Sequence, residues 1–183
     1  MAHNIIRDGL ITALDIGTSK VCCMMARTKM KGMARIIGQG ICRSKGMKNG
    51  SITSLKELEY AIRRAVGQAE QSAGESASPV LVSITSPSLY SQMIESTIQL
   101  SYHSVGKFDV DRLLKKACGM FNNKDDKIIH RFPLSYGING DFDKIDPRGM
   151  RGEVLGVRLN MVMADSIAVC NVSSVVDLQH LLE

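Results

Sequence analysis

Six consecutive residues, Asp15-Ile16-Gly17-Thr18-Ser19-Lys20, carry the groups that a phosphate cradle needs. Gly17 has no Cβ, so the amides of a tight turn can approach an anion closely. Thr18 and Ser19 add hydroxyl donors, and Lys20 can set a positive charge beside phosphates. Asp15 cannot welcome a phosphate directly. Its chemistry suits Mg²⁺ held through water, because that ion dehydrates reluctantly and takes few carboxylates. Each amide bond to a charged phosphate contributes about 1.5–3 kcal/mol, so three or four would position a triphosphate tail. A plain hairpin turn uses the same residue types, and D-x-G-[ST] arises by chance in many proteins. The spacing is not that of a P-loop, because no GxxxxGK[ST] string occurs in the chain.

Other chemistries find less support. The five cysteines, Cys22, Cys23, Cys42, Cys118 and Cys170, are odd in number and never spaced CxxC. The histidines, His3, His103, His130 and His180, are not grouped with them, so neither a zinc site nor a disulfide framework is expected. Cys22 and Cys23 lie side by side in an apolar run and would point to opposite faces of a strand, as small core residues of a reducing compartment. The net charge of +5 is dispersed. The one basic run, Arg27 to Arg35 with Lys29 and Lys31, reads as a solvated hairpin turn. No aromatics interleave with it as an RNA-binding sheet would require. No catalytic residue is assigned, since no acid is placed for that work.

These groups need a frame, and 183 residues with 44% hydrophobic and 22% charged side chains suit one soluble domain, or a compact domain plus an inserted subdomain. Arg7 and Asp8 interrupt the short apolar stretches at the start, so no signal peptide is expected. No run approaches the ~18 apolar residues of a membrane span. Leu10–Leu14 is a short strand, Val21–Ala26 a second and Ala34–Ile41 a third, with Arg27 to Met33 (including Gly32) as a hairpin connection. A meander in this position argues against a Rossmann unit, which places a helix directly after the first turn.

Ser44 to Ser51 reads as a Gly-rich loop before a helix. Ser54 and Glu57 have capping-box spacing, and Leu55, Leu58, Ile62, Ala65, Val66 and Ala69 line one helical face up to a stop at Gly74. After a loop to Pro79, Val80–Ile84 is a buried strand, giving β-β-β-α-β. The texture changes at Pro87. Met93–Leu100 alternates, with Ser96 breaking the apolar row. Asp109 can cap a helix through Val110, Leu113, Leu114, Ala117 and Phe121. Ile128–Phe132 and Leu134–Ile138 read as strand pieces separated by Pro133, and Asp141–Met150 as a turn-rich loop. Glu153–Met163 alternates again, so the insert reads β-α-β-β. Asp165 to Leu182 is expected to be helical behind Asp165 or Ser166.

Leu14 to Val21 resembles the first phosphate motif of the actin, Hsp70 and sugar-kinase superfamily. The lysine after the serine, together with the segments downstream of it, is similar to the bacterial cell-division family FtsA. Ile36-Ile37-Gly38-Gln39-Gly40 is followed by Ser44-Lys45-Gly46-Met47-Lys48-Asn49-Gly50, which resembles that family's "S-[KR]-G-[LM]-[KR]-x-G" loop. Val82-Ser83-Ile84-Thr85-Ser86 resembles its "V-x-I-[ST]-[GS]" strand. Asp109-Val110-Asp111-Arg112, Lys127-Ile128-Ile129-His130, Phe132-Pro133-Leu134-Ser135-Tyr136 and Asp146-Pro147-Arg148-Gly149-Met150 come after it in the family's order. The departure at Ser51-Ile52-Thr53-Ser54, where relatives tend to have a more apolar strand followed by Asp or Asn, leaves Ser54 as a substitute cap.

The resemblance implies an α/β (α+β) fold: a partial actin-like, ribonuclease H-like subdomain 1A with an FtsA-type subdomain 1C inserted. Residues 1–86 would open 1A, 87–163 would be 1C, and 164–183 would return to 1A. The chain would be an N-terminal fragment, lacking the second phosphate loop, the adenosine pocket and the C-terminal amphipathic helix. It implies ATP and Mg²⁺ as cofactors, with Asp15, Gly17, Thr18, Ser19 and Lys20 as binding residues and Asp15 at the metal. At most a weak ATPase is implied for the whole protein, and an inactive fragment. The implied partners are FtsZ filaments, later division proteins and further copies in a filament, at the cytoplasmic face of the inner membrane, with no nucleic acid. Two alternatives stand beside this: a pilus-assembly relative of FtsA, and a protein-interaction module without nucleotide.

Overall fold

The computed structural model describes residues 9–29, 33–77, 80–101, 103–121 and 123–177. The expected turn around Gly32, the residue Pro79 and the helix residues 178–182 lie outside these. The chain divides into two units, one running to Pro87 and resuming at Ile167, the other spanning Ser88–Ser166.

In the first unit the apolar alternation produces the strands β1 (Leu10–Ile16), β2 (Lys20–Lys29) and β3 (Met33–Arg43) as an antiparallel meander. Leu14, Ile16, Val21, Cys23 and Met25 all point to one face. The Ser44–Ser51 segment is not a plain loop. Met47–Lys48 (β4) and Ser51–Ile52 (β5) form a miniature hairpin around Asn49-Gly50, whose φ values of 50° and 77° are those of a two-residue primed turn.

Helix α1 (Leu55–Ala73) comes next. The Ser54 hydroxyl accepts from the Glu57 amide, but the reciprocal half of the box is absent: the Ser54 amide donates to the Gly46 carbonyl instead. Gly74 ends the helix in the left-handed conformation. Leu58, Ala61, Ile62, Ala65, Val66 and Ala69 are buried, whereas Leu55, expected on that face, is exposed at the first helical position. Full burial of residues such as Leu58 and Ile62 stabilises the unit by about 1.5–3 kcal/mol each. Gly38 and Gly40 bring β3 against α1, because a Cβ at Gly40 would meet the Ala65 carbonyl oxygen at 1.9 Å. Strand β6 (Val80–Ile84) then pairs parallel to β1, giving the order β3-β2-β1-β6. Val172, Val175 and Val176 of α3 (Ser166–Asp177) join the same core.

The second unit is an antiparallel sheet of β7 (Tyr90–Gln99), β10 (Val154–Asp165), β8 (Asp126–Ile138) and β9 (Asp141–Lys144), in that order, with α2 (Lys107–Gly119) on one face. Leu155, Val157, Leu159, Met161 and Met163 of β10 (Val154–Asp165) form one buried row, packed with Leu113 and Ala117 of α2. Ser96 of β7 (Tyr90–Gln99) also points inward, only 4% exposed, and its hydroxyl has no hydrogen-bond partner among the described residues.

In the second unit the structure corrects three expectations. The helix is capped by Gly106, not Asp109: the aspartate sits one turn in and its carboxylate reaches back to accept from the Gly106 amide. The two strand pieces are one strand, β8 (Asp126–Ile138). Pro133 pairs with Leu159 beside a register shift, which is where a sheet tolerates a residue with no N–H to give. Part of the turn-rich loop is a further strand, β9 (Asp141–Lys144), turned back through Asn139-Gly140 with φ of 53° and 92°. The insert therefore runs β-α-β-β-β.

Candidate functional site

The turn between β1 and β2 stands at the carboxyl end of β1, beside the carboxyl end of its parallel neighbour β6, with Ile16 opposite Ile84. Open α/β sheets bind ligands outside the carboxyl ends of their strands. Asp15 is exposed and lies on the sheet face away from the core, between Cys22 and Ser83 on the neighbouring strands. It is the one charged residue lining a shallow depression of about 260 Å³ whose other walls include Ala13, Cys22, Met24 and Leu81.

The turn uses some of its polar groups on itself. The Gly17 amide donates to the Lys20 carbonyl at 3.0 Å, and a Cβ on Gly17 would press that oxygen at 3.1 Å. The Gly17 amide thus closes the turn and is not offered outward. Thr18 Oγ1 accepts from the Gly50 amide at 2.9 Å, and the Ser19 carbonyl accepts from the Ser44 amide at 3.0 Å. The amides of Thr18 and Ser19 have no acceptor among the described residues. Thr18, Ser19 and Lys20 are exposed, and Lys20 makes no ion pair among the described residues. Two unengaged amides, two hydroxyls and a free ammonium are a donor set for a phosphate, and a lone exposed carboxylate suits an ion that keeps most of its waters.

Sequence reasoning missed Gly50 and Ser44, the residues that hold this turn from behind. The Asn-Gly pair was the available signal for the first. Cys22 and Cys23 do face opposite sides. Cys22 is half-buried on the Asp15 side, while burial, then Cys22 and Glu70, push the Cys23 thiol up to about 11, which keeps it an inert core group.

Residues 87–163 match the family described as "SHS2 domain inserted in FTSA". The protein named "Cell division protein FtsA" of Rhizobium meliloti (strain 1021) is 31% identical, over 96% of this chain and 42% of its own length. The insert is of the FtsA family, and FtsA proteins resemble the chain along nearly its whole length. The FtsA of Neisseria meningitidis serogroup B is 29% identical, over 91% of this chain and 40% of its own length. The chain thus spans about two fifths of the length of the curated relatives it matches. Among solved structures, the "PilM-PilN type IV pilus biogenesis complex" matches with a TM-score of 0.61 and 12% identity, over 96% of this chain and 46% of that one, which shows a shared actin-like fold. Both relatives are named as cell division proteins.

Proposed function

We infer that this chain forms the first phosphate-binding part, and the protein-interaction insert, of an actin-like ATP-binding division scaffold. Such a scaffold tethers FtsZ filaments to the inner membrane, assembles with copies of itself and recruits later division proteins from the cytoplasmic face. In this reading residues 1–86 and 164–183 belong to subdomain 1A, and residues 87–163 are 1C. The observation that carries it is the donor-rich turn with free Thr18 and Ser19 amides at the paired carboxyl ends of β1 and β6. The amides and hydroxyls of Thr18 and Ser19, together with Lys20, would hold ATP phosphates. Asp15 would hold Mg²⁺ through water, and the ion would neutralise phosphate charge.

The insert presents its own docking points. Val105 donates to the Met150 carbonyl and accepts from the Gly149 amide, tying the loop after β9 to the entrance of α2. Ile145 on that loop and Phe108 on the first turn of α2 are 92% and 89% exposed. Apolar side chains held in solvent by a pinned backbone suit a protein partner. The pilus-assembly reading shares the fold, but the FtsA relatives are the closer in sequence, at 31% against 12% identity.

The test is a titration of the isotope-labelled chain with MgATP. Amide signals of Thr18 and Ser19 should shift at millimolar nucleotide, and Lys20→Ala should weaken the response at least about tenfold, as loss of a charged contact requires. Silence at both amides, or an unchanged affinity in the variant, overturns the assignment.

A further inference from the structure

The Asn49-Gly50 tip has a place that its size does not suggest. On one side its Gly50 amide donates to Thr18 Oγ1 at 2.9 Å. On the other, the Gly50 Cα is close enough to β6's exit that a Cβ would lie 3.2 Å from Pro87 Cδ and 3.6 Å from the Thr85 carbonyl oxygen. With φ at +77°, Gly50 holds a conformation that L side chains rarely adopt, so the tip fits the space in one way. Pro87 is the last residue of the first unit before the chain enters the insert. Three segments far apart in sequence therefore meet at one glycine: the phosphate turn, the tip and the exit strand.

We propose that the Asn49-Gly50 tip is a positioning element that ties the state of the phosphate turn to the chain at Pro87, where the insert begins. The Gly50 amide fixes Thr18 Oγ1 as an acceptor, which leaves the hydroxyl proton to point outward toward a phosphate oxygen. A phosphate that pulls on this hydroxyl changes its bond to Gly50. Gly50 has no side chain with which to absorb the change, and the space where its Cβ would stand is closed by Pro87 Cδ at 3.2 Å, on a ring that cannot rotate about φ. A shift of the tip is thereby passed to Ser86 and Ser88. The nucleotide half of this device rests on the function inferred above; the mechanical half, from Thr18 through Gly50 to Pro87, does not.

The experiment compares amide spectra and hydrogen exchange of the whole chain as wild type, Thr18→Val and Thr18→Ser, first without ligand. Valine keeps the shape of threonine but accepts no hydrogen bond, so protection of the Gly50 amide should fall about three- to tenfold. The signals of Ser86 and Ser88 should move with it, and the serine variant should restore all three. Movement at Gly50 with Ser86 and Ser88 unchanged, or an unmoved Gly50, overturns the proposal. MgATP added to the wild type then separates the two readings. Shifts at Thr18 and Ser19 that extend to Ser88, and are cut off in Thr18→Val, are the expected result. No nucleotide response, with the ligand-free coupling intact, sinks the ATP reading alone.

Discussion

Gly40 and Ala65 meet with no room for a side chain between them: a Cβ on the glycine would stand 1.9 Å from the alanine's carbonyl oxygen. A backbone oxygen cannot swing aside, so Gly40→Ala must push α1 off β3. The variant should lose about 1–3 kcal/mol in urea unfolding. Gly67, on the same helix, has nothing within 4 Å of its would-be Cβ, and Gly67→Ala should gain about 0.5–1 kcal/mol from helix propensity. Equal effects of the two substitutions would show that the strand and helix are not in close contact.

Ser96 is buried in the insert with an unpartnered hydroxyl between the inward-facing Ile94 and Ile98. Leaving such a group unpaired costs about 1–3 kcal/mol. Ser96→Ala removes the hydroxyl without adding volume and should raise the melting temperature of the second unit. A lower melting temperature would mean that the hydroxyl has a partner that matters.

Asp109 is held below the usual carboxylate range, first by the Gly106 amide, then by His103, with Arg112 beside it. A depressed folded-state value stabilises the unit at pH above the unfolded value of about 3.9, and that contribution is lost as pH falls through the lower folded value. Exchange protection at the start of α2 should therefore drop below about pH 4 in the wild type. In Asp109→Asn the acid-dependent step should vanish. A step of the same size in the variant would assign it to another carboxylate.

Residues 88–166 have their own sheet, helix and buried cluster, and should fold when expressed alone. Amides of Leu155 to Met163 should keep protection close to that in the whole chain. An exchange pattern without protected β10 amides would make the insert dependent on its host.

Much of the fold was legible in the sequence. Strand alternation around Leu14 and Val21, the capped face of α1 and the inward row of β10 each arise from a simple period, because each buries one face against one partner. The misses have a common cause. At Pro133 a proline reads as a break, yet a bulge accommodates it inside one strand. At Asn49-Gly50 and Asn139-Gly140 the turn signal was present, but the strands it joins are only two to four residues long on one side, too short to show a period. Within the turn, residue types indicated a donor set around Thr18 and Ser19. They could not indicate which donors the fold would consume, since the bonds from Gly50 and Ser44 come from about thirty residues away in sequence.

The two ends of the insert meet at its base, where the Asp165 amide donates to Ser88 Oγ at 3.2 Å. A segment whose entry and exit are pinned together presents to its host the geometry of a short surface loop, however many residues it contains. The entropic cost of closing a loop grows only slowly with length, by about 0.6 kcal/mol per doubling, and a prefolded segment with joined ends escapes most of even that. The host sheet is then thermodynamically almost indifferent to what hangs between Pro87 and Ile167. Such a junction lets the insert change its surface while the strands on either side of the Gly17–Ser19 turn stay as they are.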